Sequence, residues 1–446
     1  MSNVSRVFPR HCHSELPVLA SGKGCYLFDQ TGKKYLDGSG GAAVSCLGHG
    51  DTEIIAAVKA QLDEAAFAHS SFFTSEPSES LARLLTEHAP GNLNRVYFVS
   101  GGSEAVEASL KLARQYFVER GQSQRHKVIA RRQSYHGNTL GALAAGGNEW
   151  RRQTFSPMLS DTSHIAPCYM YRDRATSESI EDYGQRVANE LEQEILRVGA
   201  KQVMAFIAEP VVGATLGAVA SVDGYFKTIR EICTRHGVLL ILDEVMCGMG
   251  RTGKLFACEH DAIEPDIVTI AKGLGAGYQP LGAMLCSEEI YQTISDGSGF
   301  FQHGHTYLAH PTACAAGLAV VSALLDRRLV ENCHRQGEKL KAALQTEFAD
   351  HEFVGDVRGR GLFLGVEMVQ NKESKIPFDS ALGLHKKIKK TAFEAGLICY
   401  PMGGTIDGKI GDHILLAPPF IIEDDQIDEL VFKLSGSIET ALRDTL

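Results

Sequence analysis

Residues 266–280 read DIVTIAKGLGAGYQP, and the reading of this stretch decides the fold. Ile267, Val268, Thr269 and Ile270 form a short apolar run, the pattern of a strand covered on both faces of its sheet. Lys272 follows almost at once and glycines surround it, although lysine is among the side chains least often fully buried. In an open parallel sheet, ligands bind beyond the carboxyl ends of the strands. An amine delivered to such an end therefore needs a chemical use.

Working outward, RVYFVS (95–100), HKVIARR (126–132), VMAFIAEP (203–210), VLLILDEV (238–245) and LGAMLCS (281–287) are further strand candidates, mostly separated by amphipathic helical patterns. Alternation of this kind indicates an α/β body whose sheet is largely parallel. After about residue 325 the texture changes. A polar helix (329–348), the stretch FVGDVRGRGLFLGVEMV (353–369), another helix and HILLAPPFII (413–422) read as an α+β unit with its own sheet. Near the start, GCYLFDQTGKKYLD (24–37) reads as a hairpin with its turn at Asp29-Gln30-Thr31-Gly32. The expected division is an N-terminal segment (1–60) joining the small domain, a large domain (61–325) and a C-terminal small domain (326–446).

The bulk numbers agree with a globular protein. The chain has 446 residues, 44% hydrophobic and 22% charged, too long for one ordinary core. Its net charge of −10 and short basic runs point away from nucleic acid. No apolar run approaches the roughly 20 residues that span a bilayer, and the first residues lack the apolar core of a secretion signal. Eleven dispersed cysteines without a C-x-x-C pair suit a reducing cytoplasm. The pairs His303/His305 and His11/His13 lack ligand partners at metal-binding spacing, so no metal is expected.

What each strand delivers at its end is the informative question. The first leads into SGGSEAVEASLKLARQYF, where Val106, Leu110, Ala113 and Phe117 recur at helical spacing and place a helix start near Ser103. Gly101 and Gly102 leave bare N–H groups at that start, where an anion such as phosphate is favoured. The second leads to Tyr135-His136-Gly137, an aromatic beside a glycine, able to stack on a flat ligand. VMAFIAEP ends acidic at Glu209. VLLILDEV ends in Asp243 and Glu244 after five apolar residues, and a carboxylate there needs a charged or hydrogen-bonding partner such as a protonated ring nitrogen. Lys272 comes 29 residues after Asp243. A free lysine, with a pKa of about 10.4, is a poor nucleophile at neutral pH. Desolvation lowers that pKa, and condensation with an aldehyde removes the charge as a Schiff base. A lysine, a ring-nitrogen carboxylate, an aromatic stacker and a phosphate cup together specify pyridoxal 5′-phosphate.

These residues carry a family pattern. The run from Leu240 to Ser287, LILDEVMCGMGRTGKLFACEHDAIEPDIVTIAKGLGAGYQPLGAMLCS, supported by SGGSEA, YHG, AEP and GHTYLAHPTACAAGLA, resembles the class III aminotransferases, pyridoxal-phosphate enzymes of fold type I. The resemblance covers essentially the whole chain. It implies a large domain with a mostly parallel seven-stranded sheet covered by helices, and a smaller α+β domain built from both chain ends. It implies that Lys272 holds the cofactor and moves protons once released, with Asp243 on the pyridine nitrogen. Val245 and Tyr135 would pack on the two ring faces, Gly102 and Ser103 would take the phosphate, and Thr306 would reach it from the second subunit of a homodimer or of a dimer of dimers. Glu209 would stand close behind the cofactor. Transfer would run by a ping-pong mechanism from an ω-amino acid, diamine or amine donor to a 2-oxo acid acceptor. An aminomutase, racemase or lyase could use the same scaffold. A nucleotide-binding reading is disfavoured, because SGGSEA is neither a Walker A loop nor a G-x-G-x-x-G fingerprint.

Three departures bear on substrate. Met246 stands where many members carry glutamine, Leu415 where ornithine- and 4-aminobutyrate-type members carry a carboxylate-binding arginine, and Ala214 where those members carry a gating glutamate. DEVMCGMGRTG and GDHILLAPP are closer to ω-amine and ω-amino acid transaminases, which often use pyruvate. A carboxylate-bearing acceptor still needs a cation, for which Lys409, Arg151 and Arg152 are candidates.

Overall fold

A computed structural model describes residues 6–446. Its centre is a seven-stranded sheet: β1 (Leu93–Val99), β2 (Lys127–Arg131), β3 (Thr162–Ile165), β4 (Val203–Ala208), β5 (Leu239–Asp243), β6 (Ile267–Ile270) and β7 (Gly282–Ser287). The spatial order is β1-β7-β6-β5-β4-β2-β3. The β5–β6, β5–β4, β4–β2 and β2–β3 pairs are parallel, and β7 runs antiparallel to both neighbours. Every residue of β4, β5, β6 and β7 is buried, which is why these strands read as unbroken apolar runs.

Strand β3 carries no such run. Its sequence TSHI is buried only at Ile165, as befits a sheet edge with one side open. The helix Gly102–Glu119 packs over the sheet and buries Val106, Leu110, Ala113 and Phe117, and it starts one residue before the position read from its spacing.

Besides a two-stranded ribbon of Val211–Val212 and Val219–Ala220, two four-stranded sheets sit apart from the central one. Leu19–Lys23, Tyr26–Asp29 and Lys34–Asp37 form an antiparallel meander, and Leu397–Ile398 adds in parallel to its last strand. The hairpin turn closes where its residues dictate: the Asp29 carboxylate accepts from Thr31 N (2.8 Å), Thr31 Oγ1 (2.6 Å) and Lys33 N (3.1 Å), and Gly32 takes φ +85°. Val354–Arg360, Phe363–Met368, Asp412–Leu416 and Tyr400–Gly403 form an antiparallel sheet. Helices Leu329–Glu347, Leu384–Glu394 and Asp424–Arg443 belong to the same region, and one apolar core joins Cys25, Leu36 and Leu47 near the start of the chain to Leu434 and Leu442 near its end. Among the described residues no helix is long and apolar enough to cross a membrane, and no cluster of side chains is placed to hold a metal ion.

Candidate active site

Strands β1, β2, β4, β5 and β6 all discharge toward one cleft of about 380 Å³. Its lining includes Gly102 and Ser103, Tyr135, Glu209, Asp243, Val245 and Lys272. Residues spread over 170 positions of sequence, from 102 to 272, thus meet because parallel strands end on the same side.

Lys272 is half buried and holds φ +46°, a left-handed backbone that a non-glycine residue adopts at a cost. Its Nζ donates to Ala42 O at 3.1 Å. Burial pushes the Lys272 pKa down, against the pull of the Asp243 and Glu209 carboxylates, and the positive charge of Arg151 adds to the depression. The consequence is a larger neutral fraction, which is the nucleophilic form.

Asp243 is buried at the tip of β5 and spends both carboxylate oxygens. Oδ2 lies 2.7 Å from His136 Nδ1, while Oδ1 accepts from Thr269 Oγ1 (3.2 Å) and Val245 N (3.1 Å). Because a carboxylate only accepts, the proton of this pair is assigned to His136 Nδ1. His136 is itself buried, and among the described residues its Nε2 has no hydrogen-bond partner. Glu209 braces two loops: Oε1 accepts from Tyr135 N (3.0 Å) and Oε2 from Gly213 N (3.1 Å). Burial raises the Glu209 pKa, His136 opposes that rise, and Asp243 adds to it. Glu244 points elsewhere. Its carboxylate caps Ala257 N (2.5 Å) and Cys258 N (2.8 Å), and burial lifts its pKa to about 7.

The upper end of the cleft is shaped by close approach. A Cβ on Gly102 would sit 2.6 Å from Val245 Cγ1, and one on Gly137, at φ +134°, would sit 2.7 Å from Ser103 Oγ. Only glycine lets the start of the Gly102–Glu119 helix come this near the wall, leaving its first N–H groups to face an anion. The opposite end is apolar. Of the three departures Met246 lines the cleft, and Ala214 and Leu415 share one buried apolar cluster with it, together with Phe363 and Ala417. Thr306 does not join the cleft; in the single chain it is exposed.

The family model described as aminotransferase class-III matches residues 8–438. The chain belongs to the class-III aminotransferases. This aminotransferase is 45% identical over 427 residues to an uncharacterised aminotransferase of Schizosaccharomyces pombe, covering 96% of this chain and 93% of that one. It is 34% identical over 416 residues to the putrescine–pyruvate aminotransferase of Pseudomonas aeruginosa, covering 93% and 88% respectively. Among solved structures, the ω-transaminase of Pseudomonas jessenii in complex with PMP superposes with a TM-score of 0.92 at 30% identity, covering 98% of this chain and 97% of that one.

The cofactor of the class-III aminotransferase is pyridoxal 5′-phosphate, and the residues present fit it. A depressed amine, a buried carboxylate and a helix start stripped of Cβ atoms converge on one cleft. The partner that reading the residues missed is His136. It stands inside the quoted Tyr-His-Gly run, and the signal was Asp243 itself, a carboxylate at a buried strand tip that had to be compensated from within the protein.

Proposed function

We propose that this aminotransferase moves an amino group from an ω-amino acid, diamine or simple amine to a 2-oxo acid, with pyruvate favoured, by a ping-pong mechanism. The observation that carries the reading is an apolar cluster: Met246, which lines the cleft, packs with Leu415 and Ala214, and among the described residues that cluster holds no cation to grip a second carboxylate. The relationship to a putrescine–pyruvate aminotransferase supports the same donor and acceptor classes.

When bound, the cofactor supplies an electron sink that makes a substrate C–H bond acidic. The chain's own residues do the rest. Lys272 Nζ, its pKa lowered by burial, would hold the cofactor and then carry a proton at the reacting carbon. Asp243, fixed by His136 and Thr269, would present its negative charge to the pyridine nitrogen and keep it protonated. Tyr135 and Val245 would hold the ring and Gly102 and Ser103 the phosphate, while Glu209 ties the Tyr135 loop in place.

Thr306 fits this scheme as a phosphate ligand donated by a second subunit. Tyr307, exposed beside Thr306 and with its ring centroid 5.6 Å from that of the exposed Phe67, supports a homodimer across that face. Eleven free cysteines, ten of them buried, support a reducing cytoplasmic setting.

A donor panel tests the function. Each amine is mixed with the holoenzyme alone and scored by conversion of the bound cofactor to its pyridoxamine form, then each 2-oxo acid is scored by the return. Diamines and ω-amino acids should convert the cofactor and pyruvate should restore it. Conversion by 2-amino dicarboxylates alone would contradict the donor class.

A further inference from the structure

Of the three cations that could meet an acceptor carboxylate, the structure separates one from the others. Lys409 is exposed on the glycine-rich loop 403–411. Arg152 is engaged, with Nη1 3.1 Å from Gly146 O and within 3.2 Å of both ring nitrogens of His164. Arg151 is half buried, and its guanidinium carbon lies 4.5 Å from the centroid of the Tyr135 ring. Yet among the described residues none of its side-chain donors has a hydrogen bond or an ion pair, and its Nε is buried without a partner. Five donors in a planar fork, matched to a carboxylate, are left unused over the ring of Tyr135, and it is Tyr135 rather than Arg151 that lines the cleft.

The turn carrying Arg151 is held firmly. Arg151 N donates to Asn148 Oδ1 (3.2 Å), Asn148 Nδ2 donates to Gln133 Oε1 (2.9 Å), and Gln133 Nε2 donates to Gly404 O (2.7 Å) and Thr405 O (3.1 Å). Gly408 packs against the same turn, where an added Cβ would stand 3.1 Å from Trp150 N. An arginine braced from two sides, with its charge felt at Lys272 and its fork unspent, is organised for a ligand rather than for the fold. Arg10, on the exposed N-terminal segment, also acts on the Tyr135 hydroxyl, but it lacks this bracing.

We propose that Arg151, placed over the Tyr135 ring, binds the carboxylate of the 2-oxo acid acceptor, a task that Leu415 cannot perform. The proposal rests on the acceptor class given above.

The test uses the pyridoxamine form of the holoenzyme, discharged with either pyruvate or benzaldehyde, an acceptor without a carboxylate. In Arg151→Gln, KM for pyruvate should rise about tenfold and kcat/KM should fall about 100-fold, while the loss with benzaldehyde is several-fold smaller. Arg151→Lys should recover part of the pyruvate rate, and Lys409→Gln should keep the wild-type ratio between the two acceptors. Equal losses with both acceptors would reduce Arg151 to a brace for Tyr135 and overturn the proposal, as would no loss with either. If the wild-type pyridoxamine form is discharged by benzaldehyde but by no 2-oxo acid, the acceptor class itself is wrong, and that result is read before any variant is made. The benzaldehyde reaction also reports that each variant has a folded, cofactor-loaded site.

Discussion

The floor and the end wall of the cleft are built on opposite principles. The floor concentrates buried charge: Asp243 against His136, Glu209 between two backbone donors, and Lys272 above them on a strained backbone. The end wall removes charge: Met246 lines the cleft, and Ala214 and Leu415 share its apolar cluster. Buried charge is expensive unless each member is compensated, so the floor admits few substitutions. A wall of aliphatic contacts changes at a cost of packing alone. The difference explains how one scaffold keeps its chemistry while its substrates vary.

The sharpest way to break that contrast is Lys272→Ala. It removes both the group that holds the cofactor and the mobile base, so transamination should fall by about 10⁴-fold, in line with the loss of a positioned proton carrier. The visible band of the bound cofactor should shift at the same time. A variant that still turns over within tenfold of wild type would place the reactive amine elsewhere. Asp243→Asn comes next. It keeps the shape but withdraws the charge that faces the ring nitrogen, and kcat should drop by about 10²–10³-fold, the scale seen when one preorganised electrostatic partner is lost.

Leu415→Ala probes the wall. Leu415 is 1% exposed, so truncation should cost about 2–3 kcal/mol in denaturant unfolding, while turnover of a simple amine stays within a few-fold. Leu415→Arg is the converse. It should gain activity toward donors bearing a second carboxylate and lose more stability than the alanine variant, because the new cation enters an apolar cluster. Unchanged donor selectivity in Leu415→Arg would show that this wall does not face the substrate.

The two regions also differed in how plainly they could be read. Strands β4 to β7 announced themselves because burial on both faces writes an unbroken apolar run, and the site residues announced themselves by interrupting those runs at Glu209, Asp243 and Lys272. Edges are silent by the same logic. Thr162–Ile165 and the exposed Leu19–Lys23 pay no apolar tribute to a core and so escaped notice. The His136–Asp243 pair joins residues 107 apart, and nothing local in either segment encodes it. Ala214, Met246 and Leu415 were each conspicuous against the family pattern, yet their convergence into one cluster is a product of tertiary packing. Arg151, Arg152 and Lys409 were equivalent as letters; hydrogen bonding told them apart.

A last test separates the regions by pH. His413 lies on the strand Asp412–Leu416 that supplies Leu415, fully buried, with Nδ1 2.7 Å from Thr405 Oγ1. Burial is the first cause of its depressed pKa, about 3 in place of 6.5. Below about 6.5 the unfolded chain takes up a proton that the folded chain refuses, so this group makes stability fall as pH drops toward 3, by at most about 1.4 kcal/mol per unit. Glu244, adjoining the floor, has the opposite sign. Its folded pKa is raised from 4.5 to about 7, so the folded state holds a proton that the unfolded state has lost, and stability falls as pH rises through that window. Denaturant midpoints measured from pH 4 to pH 8 should therefore respond differently in two variants. His413→Gln should soften the acid limb, and Glu244→Gln should soften the decline between about 4.5 and 7. If both variants bend the same limb, the opposition between a charge-holding floor and a charge-refusing wall does not extend to the residues that support them.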